Sequence, residues 1–399
     1  MSDPIRLLVI PSWYPPDGGY FFKEHSEALN QSGCRLDVLV NRIIGFRKIS
    51  RIRKGEWHRF HVSTEDGLTV IRSVYWKIPG NERLNIKLWV RSTVRLFHRY
   101  TRRFGKPDLI LAHSAMWGGL AAARIWKVYN VPYIITEHRS FFVWDKEEAR
   151  KMVKPFYIPH FKEAYSLCKK LIIVSESMKS GLLELFPELE QKMTVIPNMI
   201  NGNYFQLPEK PRKNDPFMFL SAGRLAPVKG LEILIKAFGE LVNKTDQSIL
   251  LKIAGRGESR EQLEKQVRQA HLSDRISFSG RISRDQMVSE MQGANCFVLT
   301  STYEAFGVVL IEAMSTGLPV IATRSGGPEG ILDETCGILV EPGDIGDLTN
   351  AMQRMISEYD RFIPEHIRER TLDYYGRQII SERYLSLFES ILEKAGRNA

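Results

Sequence analysis

The sequence predicts two consecutive α/β domains, each built around a parallel β-sheet that helices cover on both faces. Two observations lead to this prediction: short, continuous apolar runs alternate with helix-compatible segments, and this rhythm occurs twice along the 399 residues. Strands that are apolar throughout are typical of parallel sheets buried between helices. A chain of this length also suits two domains.

The apolar runs give the positions of the predicted elements. In the first half we predict strands at 7–10, 36–40, 109–112, 133–136 and 171–174, with helices at 22–31 and 116–129. In the second half we predict strands at 218–221, 250–254, 276–278, 297–300 and 320–322, with helices at 231–243 and 260–270. Ligands of such sheets bind beyond the carboxyl ends of the strands, so we expect the chemistry in the loops that follow strands.

The segment between the two series of strands is rich in Asn, Pro and Lys and lacks an apolar period, which is typical of a linker. We therefore predict an N-terminal domain at 1–200, a linker at 201–216 and a C-terminal domain at 217–375. The final segment, about 376–399, is predicted to form a helix that packs back on the N-terminal domain.

Composition restricts the partners and the compartment. The formal net charge of +10 favours an anionic partner, which could be a phosphate, a nucleic acid or an acidic membrane surface. The four cysteines are far apart and lack metal-site spacing, which indicates free thiols in a reducing compartment. No apolar stretch approaches the length of a membrane span, and the run at 7–10 is too short for a signal peptide. We predict a cytoplasmic protein whose membrane contact, if any, is peripheral.

The loop after the predicted strand at 218–221 combines a glycine with two cations. Gly223 lets the backbone approach a ligand, Arg224 can donate two hydrogen bonds to phosphate oxygens, and Lys229 adds a point charge. A helix follows, and helix N-termini favour anions. An isolated loop of this kind is more often a solvated turn, but its position between a strand and a helix favours phosphate binding.

A second candidate segment contains two glutamates. Glu312 lies in an almost entirely apolar helix at about 308–316, which indicates burial, and a buried carboxylate needs hydrogen-bond donors. Ribose hydroxyls and a structural partner from backbone or serine are equally open alternatives. Glu304 lies eight residues before Glu312, at the end of a predicted strand. In that position its carboxylate can accept a hydrogen bond from a sugar hydroxyl. Free backbone N–H groups near Gly307 and Val308 can hold a phosphate or sugar hydroxyls.

Together these residues resemble the E-x7-E motif of the family 4 retaining glycosyltransferases. The resemblance is strong over 218–345 and rests on Glu304-Ala305-Phe306-Gly307 leading into Glu312, on the following 317–322 run and on Gly326-Gly327. It implies the GT-B fold, in which two Rossmann-like, doubly wound α/β domains face each other across a cleft. It also implies catalysis without a metal ion or another cofactor, since cations and helix N-termini can neutralise the diphosphate.

The resemblance implies roles for individual residues. Arg224 and Lys229 would bind the diphosphate and steady the leaving group, Glu304 would contact the donor sugar, and Glu312 would hold the ribose. Further donor contacts are implied for Gly18, Gly19, Gly223, Phe306, Gly307 and Val308, and more loosely for Arg281 and Ile282 at the base.

The first half is expected to form the acceptor side. His113 and His138 each follow a predicted strand, where a histidine can face a cleft or simply bond to the backbone. His138, after Thr136-Glu137, resembles the cleft histidine of the family more closely, and His113 is the second candidate. The predicted catalytic residues are His138, Arg224, Lys229 and Glu304.

The segment from Arg83 to Lys106 predicts an amphipathic helix with a basic face. At 3.6 residues per turn, six cations of this helix lie within an arc of roughly 120°. They are Lys87, Arg91, Arg95, Arg99, Arg102 and Lys106. A solvated basic face is the commoner meaning of such a pattern, and docking on an anionic membrane near a lipid-linked acceptor is the more specific one.

We therefore predict a hexosyltransferase that moves a sugar from a nucleotide-diphosphate sugar to a glycan or lipid-linked acceptor with retention of configuration. The resemblance implies a place in bacterial surface polysaccharide or lipopolysaccharide synthesis. Three alternatives remain: a sugar-nucleotide-processing relative such as an epimerase, a non-enzymatic sugar-nucleotide-binding module, and a basic nucleic-acid-binding protein. The last lacks recognition-helix and aromatic-platform signatures, so no nucleic-acid partner is predicted.

Overall fold

The computed structural model describes residues 4–16, 18–45, 60–143, 153–212, 215–394 and 396. Within these residues the strands form two separate sheets, one before residue 196 and one after residue 216. Helices cover both sheets, which confirms the predicted pair of α/β domains.

The N-terminal sheet has eight strands among the described residues, in the order β3-β4-β2-β1-β5-β6-β7-β8. They are β1 Arg6–Pro11, β2 Arg35–Ile44, β3 His61–Glu65, β4 Leu68–Trp76, β5 Leu109–His113, β6 Tyr133–Glu137, β7 Leu171–Ile173 and β8 Met193–Val195. All neighbours are parallel except β3 and β4. This antiparallel hairpin was not predicted, because β3 lies at the sheet edge and is only partly buried, so its sequence lacks a continuous apolar run.

Five helices of this domain are described: α1 Tyr20–Gln31, α2 Glu82–Phe104, α3 Leu120–Tyr129, α4 Ile158–Ser166 and α5 Met178–Leu185. The helix predicted at 116–129 begins later, at Leu120, because Trp117 has a φ of 72° and Met116 a ψ of 130°. The side chain of Ser12 stabilises this turn: its hydroxyl donates to the Met116 carbonyl at 2.6 Å and accepts from the Gly118 N–H at 3.3 Å.

The C-terminal sheet is parallel, with the strand order β11-β10-β9-β12-β13-β14. Its strands are β9 Phe217–Ala222, β10 Ile249–Ala254, β11 Ile276–Gly280, β12 Cys296–Leu299, β13 Val320–Thr323 and β14 Gly337–Val340. The order reverses between β9 and β12, so the loops after these two strands diverge. Open α/β sheets bind ligands in the crevice at such a switch point.

The helices described in the second half are α6 Leu231–Val242, α7 Arg260–Gln269, α8 Arg284–Gly293, α9 Val308–Ser315, α10 Ile345–Ser357, α11 Pro364–Tyr375 and α12 Arg377–Lys394. Helix α12 returns to the N-terminal domain, where Ile380 and Phe388 share a buried cluster with Leu7 and Phe22. Residues 395 and 397–399 of the segment predicted as the final helix lie outside the described residues. None of the helices described in the chain is long and apolar enough to cross a membrane.

Gly230 joins the two loops at the switch point of the C-terminal sheet. Its φ is 59°, and an ideal Cβ at this position would lie 2.2 Å from the Thr300 carbonyl oxygen. The Thr300 hydroxyl in turn donates to the Lys229 carbonyl at 2.9 Å, and the Thr302 N–H donates to the Val228 carbonyl at 2.8 Å. Only glycine fits here, both for the backbone conformation and for the close approach.

We expect Gly230→Ala to lower the free energy of unfolding by roughly 2–4 kcal/mol, because it adds a steric clash to the cost of a left-handed residue. Gly343→Ala is the matched control, since Gly343 has a φ of 82° but nothing within 4 Å of an ideal Cβ. The control should cost roughly 1 kcal/mol. Urea unfolding measures both, and equal losses would show that the approach to Thr300 contributes nothing.

Candidate active site

A cleft of about 450 Å³ lies between the two domains, at the carboxyl edges of their sheets. The N-terminal domain contributes Phe21, Val174 and Asn198, and the C-terminal domain contributes the loops after β9 and β12. The cleft brings together nine of the predicted site residues, namely His138, Gly223, Arg224, Lys229, Glu304, Phe306, Gly307, Val308 and Glu312.

An ion pair joins the two loops inside this cleft. Lys229 Nζ lies 2.6 Å from Glu304 Oε2, and the Ser301 hydroxyl donates to the same carboxylate oxygen at 3.3 Å. The side chains of Lys229 and Glu304 are only 26% and 17% exposed, so both charges have lost much of their water. Each is therefore stabilised by the other until a ligand supplies new partners.

The backbone around Glu304 is held by the loop that follows β13. Glu304 donates its N–H to the Ser325 carbonyl and accepts from the Gly327 N–H, both at 2.8 Å. An ideal Cβ on Gly327 would lie 2.4 Å from Phe306 Cα, so the glycine lets these two loops pack together. Helix α9 begins immediately afterwards, and its first two residues, Val308 and Val309, line the cleft with N–H groups that precede the regular helical hydrogen bonds.

Arg224 is placed differently from Lys229. Its side chain is 73% exposed and forms an ion pair with Glu258 at 3.1 Å. The surrounding loop is fixed by backbone hydrogen bonds from Gly223 to Ala254 and from Leu225 to Arg256. Exposed ion pairs contribute little stability, so Arg224 can turn from Glu258 towards an anion in the cleft at small cost.

Glu312 lies on α9 beside an arginine that sequence reasoning did not identify. Its carboxylate is 3.9 Å from the Arg284 guanidinium and the side chain is 21% exposed. Burial raises the pKa of Glu312 to about 7, although the positive charge of Arg284 acts in the opposite direction. Arg284 also forms an ion pair with Glu24 of the N-terminal domain and packs over the rings of Tyr204 and Phe205.

Arg284 therefore links the two domains beside the candidate donor site. Burial lowers its pKa, and its Nε atom is buried without a hydrogen-bond partner. The sequence signal was weak: Arg284 begins α8, which follows β11 at the carboxyl edge of the sheet, three residues after the predicted Arg281. Arg281 itself is exposed, and neither it nor Ile282 lines the cleft, so their contact with a base stays a prediction.

The two candidate histidines occupy different levels. His138 lines the cleft, whereas His113 is fully buried beneath it, with its Nδ1 3.2 Å from His138 Nε2. Burial lowers the pKa of His138 to about 3 and also depresses the pKa of His113. Both rings are therefore neutral near pH 7, and His138 is suited to hydrogen bonding rather than to accepting a proton.

Glu137 fixes the loop that presents His138. Its buried carboxylate accepts hydrogen bonds from the backbone N–H of Ala115 and of His138 and from the Tyr165 hydroxyl, each at 3.0 Å. A carboxylate with so many donors is well satisfied, which explains how it tolerates complete burial. Its role is structural, and it determines where the histidine points.

The predicted glycine turn starts α1 next to the cleft. Gly18 and Gly19 have φ values of 115° and 74°, and an ideal Cβ on Gly19 would lie 2.6 Å from the Trp13 carbonyl oxygen. The cleft lining includes Phe21, two residues further on, rather than the glycines themselves. A donor contact at Gly18 and Gly19 stays a prediction.

Among the described residues, no group of three or more His, Cys, Asp or Glu side chains is arranged to hold a metal ion.

The raised pKa of Glu312 predicts a pH-dependent stability. The folded state holds this proton more tightly than the unfolded chain, so wild type loses stability as the pH rises from about 4.5 to above 7. Glu312→Gln lacks this ionisation, so its unfolding free energy does not fall with it. The difference in unfolding free energy, variant minus wild type, should therefore rise by roughly 2–3 kcal/mol from pH 5 to pH 8. Urea unfolding of both proteins at the two pH values measures the difference, and a pH-independent difference would contradict the assignment.

Comparison with known families agrees with this geometry. The family model described as Glycosyltransferase Family 4 matches residues 19–203, and the model described as Glycosyl transferases group 1 matches residues 204–378. The two matches are adjacent and together cover nearly the whole chain. Their border falls between the two sheets.

Individual relatives resemble the protein over almost its full length. A probable sucrose-phosphate synthase of Thermosipho melanesiensis is 25% identical over 408 aligned residues, which cover 94% of this chain and 92% of that protein. The structure of sucrose-phosphate synthase from Thermosynechococcus elongatus has a TM-score of 0.78 at 21% identity, covering 98% of this chain and 100% of that one. HepE of Anabaena, solved in complex with UDP-glucose, has a TM-score of 0.72 at 18% identity, covering 96% and 100%.

These similarities agree with what the site already shows. The two facing α/β domains are those of the GT-B fold. The cleft between them contains both glutamates of the E-x7-E motif, Glu304 and Glu312, together with Lys229 from the loop after β9. Both family models describe glycosyltransferases. The chain belongs to glycosyltransferase family 4 and is a glycosyltransferase of the GT-B type.

Proposed function

We propose that the protein transfers a sugar from a nucleotide-diphosphate sugar to an acceptor hydroxyl, with retention of anomeric configuration, in the cleft between its domains. The observation that carries this proposal is the convergence of Lys229, Glu304 and Glu312 around the start of α9 in one cleft. The similar HepE was solved with UDP-glucose, which supports a nucleotide-diphosphate sugar as the donor class.

The positive groups of the cleft suit the diphosphate. Lys229, Arg224 and the first two residues of α9 line the same cleft, and we propose that these cations and amides stabilise the charge that builds up on the departing diphosphate. We propose that they do so without a metal ion. Glu304 then accepts hydrogen bonds from the sugar hydroxyls, and Glu312 accepts from the ribose.

We propose that retention depends on which group accepts the proton of the acceptor hydroxyl. A neutral His138 with a pKa near 3 is a weak base, so it hydrogen-bonds to a sugar or acceptor hydroxyl. We propose that an oxygen of the leaving diphosphate takes the acceptor proton instead. That oxygen leaves from the same face of the sugar on which the acceptor attacks, which preserves the anomeric configuration. Closure of the two domains excludes water, which would otherwise hydrolyse the donor.

For the acceptor we propose a glycan or a lipid-linked glycan of bacterial surface polysaccharide or lipopolysaccharide synthesis, modified at the cytoplasmic side of the membrane. The support is the family resemblance together with the basic outer face of α2, whose cations are exposed. An acidic, lipid-anchored acceptor would be attracted to such a face.

The reaction type is tested by incubating the protein with UDP-, GDP- and ADP-sugars and candidate acceptors. We expect nucleoside diphosphate to accumulate in an acceptor-dependent manner, with the anomeric configuration of the donor kept in the product. Proton NMR coupling constants of the product measure the configuration. Inverted product, or interconversion of sugar nucleotides without release of nucleoside diphosphate, would contradict the proposal.

Lys229→Ala tests the leaving-group assignment. Removing this charge should lower kcat by roughly 100-fold or more, because the lysine acts mainly in the transition state, while the donor KM changes less. Lys236→Ala is the matched control, since Lys236 is an exposed lysine on the adjoining helix α6 and should leave both constants unchanged. Steady-state kinetics separate the two effects, and unchanged turnover in Lys229→Ala would rule out its role.

A further inference from the structure

A second concave surface lies on the N-terminal domain, outside the catalytic cleft. It is a groove of about 760 Å³ between α2, α3 and α4, and it shares no lining residue with the cleft. Its size exceeds that of the cleft itself. The proposed transfer reaction uses the basic outer face of α2 but gives the apolar floor of this groove no role.

The floor of the groove is aliphatic. Ile86, Val90 and Val94 come from α2, and Leu120 and Val128 come from α3. Ile86 and Leu120 are only 2% exposed and continue into the domain core, whereas Val128 is 67% exposed at the opening. Val128 therefore extends the aliphatic floor to the opening of the groove, and a contiguous apolar surface rimmed by polar residues is typical of an interaction site.

The rim of the groove is basic. Its cations are Arg83, Lys87, Arg91, Arg95, Arg124 and Lys127. Among the described residues that line the groove, Glu163 is the single carboxylate, and it forms ion pairs with Arg124 at 2.9 Å and Lys127 at 3.0 Å. The cations of α2 therefore keep a net positive charge along one side of an apolar surface.

Topology places one end of the groove near the catalytic edge of the sheet. Helices α2 and α4 follow β4 and β6 in the chain, so their first turns lie at the carboxyl edge of the parallel strands. Arg83 and His160 belong to these first turns and line the groove. An occupant of the groove would consequently end close to the edge at which the cleft opens.

We propose that this groove docks the protein on an anionic phospholipid surface, with lipid phosphates against the basic rim and hydrocarbon on the aliphatic floor. A helix with a cationic face beside an apolar one is suited to the membrane interface. Single-stranded nucleic acid fits less well, because its non-specific binding sites combine positive charge with aromatic stacking surfaces, and the described lining contains no Phe, Tyr or Trp. The inference goes beyond the proposed function, because it assigns a lipid-binding surface to the protein itself.

The test is flotation of the full-length protein with vesicles of phosphatidylcholine alone or mixed with phosphatidylglycerol. Wild type should float with the phosphatidylglycerol vesicles. The combined variant Lys87→Gln, Arg91→Gln, Arg95→Gln should lose roughly 100-fold in partition constant, since each cation near an anionic surface contributes several-fold. A matched variant on the same helix but outside the groove, Arg99→Gln, Arg102→Gln, Arg103→Gln, should lose far less for the same change in net charge.

A second variant tests the apolar floor at constant charge. Val94→Ser with Val128→Ser should reduce partitioning on the order of tenfold, because it removes apolar surface that the lipid would cover. Circular dichroism melting checks that each variant is folded. The assay contains neither donor nor acceptor, so its outcome is independent of whether the protein transfers sugar.

Three results would overturn the proposal. If wild type fails to float with phosphatidylglycerol vesicles, the groove has no lipid partner. If the triple variant in the groove and the triple variant outside it lose vesicle binding equally, the attraction comes from the overall charge of the domain. If the valine variant floats like wild type, no hydrocarbon enters the groove, and the acidic helix of a protein partner becomes the better candidate.

Discussion

The ion pair between Lys229 and Glu304 is the contact on which the geometry of the donor half depends. Its partners come from the loops after β9 and β12, the two strands between which the sheet order reverses. Gly230 allows these loops to meet, and the backbone bonds of Glu304 to the loop after β13 keep the carboxylate in place. Because both charges are largely desolvated, the pair holds these two loops together and helps to set the shape of the cleft.

A second set of charges connects this site to the other domain. Arg284 lies between Glu312 in the donor half and Glu24 in α1, so the contact that compensates one buried carboxylate also joins the domains. The raised pKa of Glu312 shows that this compensation is incomplete. In the proposed reaction, ribose hydroxyls would supply the missing donors, and donor binding would then be coupled to this contact between the domains. Closure of the cleft would keep water from the sugar.

The sequence was sufficient for the features that depend on local pattern. Continuous apolar strands gave the two sheets, and motif residues placed after strands, such as Lys229 and Glu304, do meet in one cleft. Features that depend on packing between distant segments could not be predicted from the sequence. Arg284 gains its meaning only when α1 and α8 come together, and His113 is hidden because Phe22 stacks on its ring at 4.4 Å. The late start of α3 likewise depends on Ser12, more than one hundred residues away in sequence.

We propose that the positive loops and the start of α9 form a diphosphate site, with a glutamate on each side of it. The most direct measurement is a crystal structure with the nucleoside diphosphate that the protein releases. We predict diphosphate oxygens within hydrogen-bond distance of Lys229 Nζ and the first amides of α9, and ribose hydroxyls on the Glu312 carboxylate. A diphosphate bound away from Lys229, with Glu312 still facing only Arg284, would contradict the account.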